Sequence, residues 1–273
     1  MILSFDTSGP YCAAALLDGD TVLAARAEPM KRGQAERLLP LLEDLLAEAG
    51  TGWKDVTRIG VGTGPGDPEL LTLKAVRAIL DADVVAHFLK RGRPGNARAI
   101  VAPHWPENAI ELPLEYPVTT EVHRHDQSYK SQIAAFFDDA ALHIAHHLDQ
   151  GKTVAVLSEG DPFFYGSYMH IHVRLAPAYP TEVIAGVTSL SGCWSQAGVP
   201  LMQGDDIFTV LPGTLDLTDL QTRLGSTDSA VIMKVGRKLP KIREALKAAG
   251  KFDSAIYVER GTMDNAVVLP LKD

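Results

Sequence analysis

Residues 153–157 read Thr-Val-Ala-Val-Leu, an unbroken apolar run followed at once by Ser-Glu-Gly-Asp-Pro. A run that short, with no polar alternation, is the pattern of a strand covered on both faces, as in a parallel sheet flanked by helices. The pattern recurs. Residues 56–61 lead into the glycine-rich Gly62 to Asp67, and residues 181–185 lead into Gly186-Val-Thr-Ser189. Segments of helical period separate these strands, so the chain reads as an α/β fold built from βα units. In such sheets ligands lie beyond the carboxyl ends of the strands, where the glycine loops fall.

The remaining elements follow the same logic. Strands are expected at 1–5, 12–17 and 21–27, with Asp18-Gly19-Asp20 as a hairpin turn. A helix over 34–49 presents Leu38, Leu42, Leu45 and Leu46, and Gly50 stops it. A helix from Asp67 and Pro68 to about Leu80 buries Leu70, Leu73, Val76 and Ile79, with Asp67 as its cap. A strand at 83–86 precedes a basic, glycine-containing loop over 90–98. A long helix over 128–148 turns Ile133, Phe136, Phe137, Ile144 and Leu148 inward. Further strands are expected at 207–211, 230–234, 255–259 and 267–269, with helices near 217–224 and 240–249.

With 273 residues the chain can hold two modest domains, and 46% hydrophobic content supports real cores. The net charge of −8 weighs against nonspecific nucleic-acid binding. Residues 1–57 carry 9 acidic and 5 basic groups, and the rest carries 25 and 21, so charge marks no domain boundary. No apolar run is long enough to span a bilayer, and the first residues lack a signal-peptide pattern, which sets a cytoplasmic expectation. Two cysteines, Cys12 and Cys193, make neither a disulfide framework nor a zinc pattern, and Cys193 reads as core.

The first loop is Gly-x-Gly-x-Gly. It is not the dinucleotide fingerprint, and it lacks the Lys-Ser/Thr of a phosphate loop, which disfavours NAD and ATP. The nine histidines include three pairs at shared-face spacings: His123 with His125, His143 with His147, and His170 with His172. Without neighbouring cysteines or an HExxH motif they read as ordinary histidines, and no metal is expected. Arg91, Arg93, Arg98, His123, Arg124 and His125 are candidates to meet an anionic ligand, although a solvated face accounts for most of them.

From residue 58 onward the chain resembles the tetrapyrrole (corrin and porphyrin) methyltransferases. The motifs are Gly62 to Ala75 (GTGPGDPELLTLKA), Gly160 to Ser167 (GDPFFYGS) and Glu182 to Ser189 (EVIAGVTS). Within that family, Lys90 to Arg98 (KRGRPGNAR), Ser191 to Leu201 (SGCWSQAGVPL), Gln203 to Thr214 (QGDDIFTVLPGT) and Val258 to Met263 (VERGTM) are similar to the enzymes that methylate C20 of precorrin-2. The resemblance implies S-adenosyl-L-methionine as cofactor, precorrin-2 as substrate, precorrin-3A as product and a homodimer. It also implies no membrane or direct nucleic-acid partner. It places Pro65, Glu159, Gly160, Asp161, Phe164, Thr188, Ser189, Met233 and Gly261 at the cofactor. It places Asp67, Arg91, Arg93 and His125 at the substrate, and assigns no catalytic acid or base. Members of the family continue with one more apolar strand than is found before Asp273, which raises the alternative of an inactive chimera.

Residues 1–66 resemble the start of TsaB, an actin-like partner in tRNA threonylcarbamoyladenosine formation, through ILSFDTS (residues 2–8), the hairpin and the leucine helix. The expected organisation is therefore a ββαβ-type actin-like fragment over 1–57, followed by two methyltransferase subdomains over 58–157 and 158–273. A tRNA-modification subunit is the alternative function that this segment implies.

Overall fold

The computed structural model describes residues 2–6, 11–18, 21–29, 37, 40–41, 44, 47–48, 50, 58–63, 65–117 and 127–272. The chain divides into two compact units. The first comprises residues 1–64 and 71–186, and the second residues 65–70 and 187–273.

The first unit opens with an antiparallel sheet of β1 (Ile2–Asp6), β2 (Tyr11–Asp18) and β3 (Thr21–Pro29). Pairing of Asp18 with Thr21 closes the β2–β3 hairpin over the expected Asp-Gly turn. Of the helix expected over 34–49, the described positions 37, 40, 41, 44, 47 and 48 are helical, and Gly50 follows in the left-handed region at φ 66°. Arg37 ties this segment to β3 by pairing with both Glu28 oxygens at 2.7 Å, and it also reaches Asp44 at 2.9 Å.

The main sheet of this unit is five-stranded and parallel, in the order β6-β5-β7-β4-β8. Its strands are β4 (Arg58–Gly62), β5 (Val84–Lys90), β6 (Ile110–Tyr116), β7 (Val154–Ser158) and β8 (Glu182–Ile184). Alternate side chains feed two cores. Val85, Ala155, Leu157 and Ile184 pack with α1 (Leu73–Leu80) and α2 (Asn96–Ile100). Val84, Ala86, Val154 and Val156 pack with α3 (Gln127–Leu148) and α4 (Tyr168–Leu175). Burial on both faces is the reason the β7 run shows no polar alternation.

Several expectations are corrected here. The helix expected from Pro68 is a 3-10 turn, Pro68–Leu70, followed by a separate helix whose N-cap is Thr72, accepting the Ala75 amide at 3.1 Å. Leu73, the first residue after that cap, is 80% exposed, whereas Ile79 is buried as expected, with Ala75 and Ala78, and Val76 packs partly buried against the same core. The basic 90–98 segment is a loop only in its middle: Lys90 ends β5, and Asn96 starts α2. The boundary between units falls after Gly186 rather than at 157/158, because β8 hydrogen-bonds to β4 in the first sheet.

The second unit holds α5 (Ser189–Ala197), the parallel pair β9 (Phe208–Pro212) and β10 (Ser229–Met233), and α6 (Leu217–Gly225) and α7 (Leu239–Ala248). It also holds the antiparallel pair β11 (Ile256–Glu259) and β12 (Val267–Pro270). Leu211, Leu220, Leu224, Ile242, Ala245, Leu246 and Leu271 form its core. No helix among the described residues is long and apolar enough to cross a membrane.

Candidate functional site

In the first unit, β7, β4 and β8 are neighbours in the sheet and run parallel, so the chain leaves all three at the same sheet edge. The exits are cross-linked. Thr63, fully buried, donates both its amide and its hydroxyl to the Ser158 carbonyl, at 2.9 and 3.1 Å. Asp161 uses one carboxylate oxygen to accept the Phe163 amide at 2.9 Å and the other to accept the Gly186 amide at 3.0 Å. Gly160, between Glu159 and Asp161, has φ 74°, which makes the sharp exit from β7 possible without strain. Glu159 is exposed, with one oxygen held by the Asn96 side-chain amide at 3.1 Å. Phe164 is half-buried, edge-on to Tyr165 at 5.0 Å.

The substrate candidates of this unit are more dispersed. Arg91 is 85% exposed and pairs with Glu115 at 3.2 Å. Arg93 is exposed on the turn that its amide closes to the Lys90 carbonyl. His125 lies outside the described residues. Arg98, half-buried, instead links an exposed carboxylate to a buried imidazole. Its guanidinium lies 3.6 Å over the Trp105 ring, and its Nε donates to Glu111 at 3.0 Å. The same Glu111 oxygen is 2.9 Å from Nε2 of His87, which is 3% exposed. Burial pushes the His87 imidazole below its ordinary pKa, against the opposing pull of Glu111. Burial raises Glu111, but the hydrogen bonds from Arg98 and His87 outweigh it and hold this carboxyl low.

In the second unit, Pro65 is buried and Asp67 accepts the Glu69 amide at 2.8 Å, so Asp67 does cap a turn. Thr188 is the N-cap of α5. Its hydroxyl oxygen accepts the Ser191 amide at 3.2 Å and lies 3.0 Å from the Ser191 hydroxyl, while Ser189 opens the helix. Met233 ends β10, and its carbonyl accepts the Gly213 amide at 2.6 Å. Gly261 is buried in the β11–β12 turn, where a Cβ would come within 2.5 Å of Cys193 Sγ. Cys193 is therefore a packing residue, and burial raises its thiol pKa despite a hydrogen bond with Gly261.

Of the paired histidines, His123 and His125 lie outside the described residues. His170 stacks on Phe137 at 4.3 Å, and His143 lies 3.4 Å from Asp139. No cluster that could hold a metal occurs among the described residues. Sequence reasoning missed Asn96 as the partner of Glu159 and Thr262 as the partner of Asp67, whose amide donates to the Thr262 hydroxyl at 3.2 Å. Both lie inside the quoted motifs KRGRPGNAR and VERGTM, which was the only signal available for them.

Parallel strands whose neighbouring ends carry glycine turns, carboxylates and hydroxyls define an α/β protein whose strand exits are the candidate place for a ligand. The chain belongs to the tetrapyrrole (corrin/porphyrin) methylase family, whose model matches residues 59–272. It is 61% identical over 215 residues to the precorrin-2 C(20)-methyltransferase of Sinorhizobium sp, covering 79% of this chain and 88% of that one. It is 44% identical over 228 residues to the cobalamin biosynthesis protein CobIJ of Mycobacterium tuberculosis, covering 84% of this chain but only 44% of that longer one. Among solved structures, uroporphyrin-III C-methyltransferase from Thermus thermophilus, complexed with S-adenyl homocysteine, matches with TM-score 0.54 and 26% identity, covering 79% of this chain and 84% of that one. The cobalt precorrin-4 methyltransferase CbiF shares the fold with TM-score 0.56 at 22% identity, covering 82% and 89%. The family match begins at residue 59, and the likeness of residues 1–66 to TsaB has no support among these relatives.

Proposed function

We propose that this chain methylates C20 of precorrin-2 to give precorrin-3A, with S-adenosyl-L-methionine as methyl donor. The observation that carries the reading is the 61% identity to a precorrin-2 C(20)-methyltransferase over 88% of that enzyme's length. The metal-free substrate is favoured over its cobalt-containing form because identity to the cobalt-precorrin-2 C(20)-methyltransferase of Salmonella typhimurium is only 24%.

When bound, the cofactor supplies a methyl made electrophilic by its sulfonium. The donor set suits such a molecule. In the first unit, exposed Glu159 offers a carboxylate to hydroxyl donors, Gly160 leaves the backbone bare, and Phe164 adds an apolar ring. In the second, Ser189 and Thr188 bring hydroxyls and half-buried Met233 an apolar side chain, while Pro65 and Gly261, both buried, are proposed to meet it through their backbone. These are the residues proposed to hold it. Asp161 has both oxygens committed to the Phe163 and Gly186 amides, so its part is to fix the two loops rather than to reach outward.

Asp67, Arg91, Arg93 and His125 are proposed for the substrate, a polycarboxylate for which arginine is the apt partner. Methyl transfer to an electron-rich carbon depends on alignment of the reacting atoms, and alignment alone can lower a barrier by ~7–11 kcal/mol. The bonds that lock Thr63 to Ser158 and Asp161 to Gly186 serve that end, since a preorganised loop pays no ordering cost on binding.

The reading is tested by titrating S-adenosylhomocysteine calorimetrically and then following precorrin-2 turnover with S-adenosylmethionine. Micromolar binding with turnover supports it; a folded sample that binds nothing overturns it. The homodimer and the cytoplasmic location remain part of the proposal, and sedimentation tests the first.

A further inference from the structure

Thr262 is a β-branched residue at φ 67°, in the left-handed region that favours glycine. It follows Gly261 and Arg260, the latter also left-handed at φ 51°. Such strain persists only where the surroundings over-determine it, and an observed outlier is a warrant to look for a role. Each part of Thr262 has a partner within the second unit. Its amide donates to the Gln196 side-chain oxygen on α5. Its hydroxyl accepts the Asp67 amide at 3.2 Å. Its methyl lies where a Cβ on Gly192 would come within 2.7 Å, and that same absent Cβ would lie 2.7 Å from Pro65 Cγ.

Residues 65–70 are the one stretch of this unit that comes from before residue 187, and they reach it through these contacts. A glycine at 262 would adopt the turn without cost, but it would offer neither the hydroxyl nor the methyl. The strained side chain is therefore better explained by what it holds than by the turn it makes.

We propose that Thr262 is a positioning residue: through its hydroxyl it fixes the backbone of Asp67, and so the presentation of that carboxylate to the tetrapyrrole. This rests on the reading of Asp67 as a substrate-side group.

The test uses the full chain with Thr262→Val, Thr262→Ser and Thr262→Gly. Valine keeps the branched shape and removes the hydroxyl; serine keeps the hydroxyl. The first readout, amide hydrogen exchange at Asp67, needs no turnover. Loss of one backbone-to-hydroxyl bond should speed exchange about tenfold in the valine and glycine variants, and serine should restore protection. The second readout is kinetic. Valine should raise KM for precorrin-2 about tenfold while S-adenosylhomocysteine affinity stays within about twofold, and serine should rescue it. Glycine should match or exceed the wild-type Tm while sharing the valine defect. Unchanged Asp67 exchange in the valine variant overturns the proposal, as does a rise in KM accompanied by a parallel fall in Tm and in cofactor affinity. If the wild type binds S-adenosylhomocysteine but leaves precorrin-2 untouched, the substrate reading fails, and the exchange data still decide whether Thr262 holds Asp67.

Discussion

The Asp161 carboxylate accepts the Gly186 amide at 3.0 Å, and because β4 lies between β7 and β8 in the sheet, this bond passes over the exit of β4. One side chain thus couples loops that leave strands two positions apart, while Thr63 couples the middle strand to β7 through the Ser158 carbonyl. The three strand exits act as one pre-formed edge, which is what a site that aligns two reactants requires.

Asp161→Ala removes a charged acceptor from two backbone amides. Hydrogen bonds to charged groups contribute ~1.5–3 kcal/mol each when buried, and this one is only partly so, giving an expected loss of about 1–3 kcal/mol by urea denaturation. S-adenosylhomocysteine affinity should fall at least about tenfold, because both loops lose their common anchor. Asp161→Asn retains one acceptor and should fall between. Wild-type affinity in the alanine variant would sink the idea that the coupling matters to binding.

Gly261 and Cys193 form the second tight contact. A Cβ at 261 would lie 2.5 Å from Cys193 Sγ. Gly261→Ala should therefore cost ~1–3 kcal/mol, the usual range for overpacking. Cys193→Ala clears the sulfur, so the double variant should be more stable than the sum of the single effects predicts. Strict additivity in denaturation midpoints would show that the crowding is relieved elsewhere.

Stability should fall on mild acidification because of His87. Burial lowers its folded-state pKa below the ordinary 6.5, so the unfolded chain binds the proton more readily. Stability from this group is complete above 6.5 and declines as pH drops toward the lowered folded value. Glu111 has the same sign at lower pH: its folded pKa lies below 4.5, so its contribution is lost as pH falls through that region. His87→Gln should flatten the decline between about pH 7 and pH 5 in urea titrations, leaving only the carboxylate-driven loss. An unchanged slope in that window would show that His87 does not control it.

The legible parts of this fold were those where one signal dominated. The β7 run, the β2–β3 hairpin and the long α3 helix each follow from local pattern, and Phe137, Ile144 and Leu148 are buried as their spacing predicts. Strand β6 was invisible because Ile110–Tyr116 carries Pro113 and two glutamates; as an edge strand it can accommodate all three. Helix α2 has only 5 residues, too few to show a period, and α4 was obscured by its His170 and His172. Leu73 misled because the periodicity ignored the second cap at Thr72. At the site, the glycine loops and their carboxylates were readable, but partners distant in sequence were not: Asp67 and Thr262 are separated by 195 positions, and only the folded chain brings them together.

Asn96 provides the last test of the strand-exit edge. Its side-chain amide holds Glu159 from the start of α2, and that helix is anchored independently by Arg98 through Glu111 and the Trp105 ring. Truncating Asn96 to alanine should therefore leave the fold intact, with a change in stability of no more than ~0.5 kcal/mol, as for other exposed positions. Glu159 would lose its hydrogen bond from Asn96, and S-adenosylhomocysteine binding should weaken about three- to tenfold, the worth of one hydrogen bond to a charged group at partial exposure. Asn96→Asp should weaken it further, because a second carboxylate 3.1 Å away would turn Glu159 aside by repulsion. Calorimetry on both variants checks the order. Equal affinities for wild type, alanine and aspartate would remove Glu159 from the cofactor side, whereas the graded loss would tie the α2 start directly to binding.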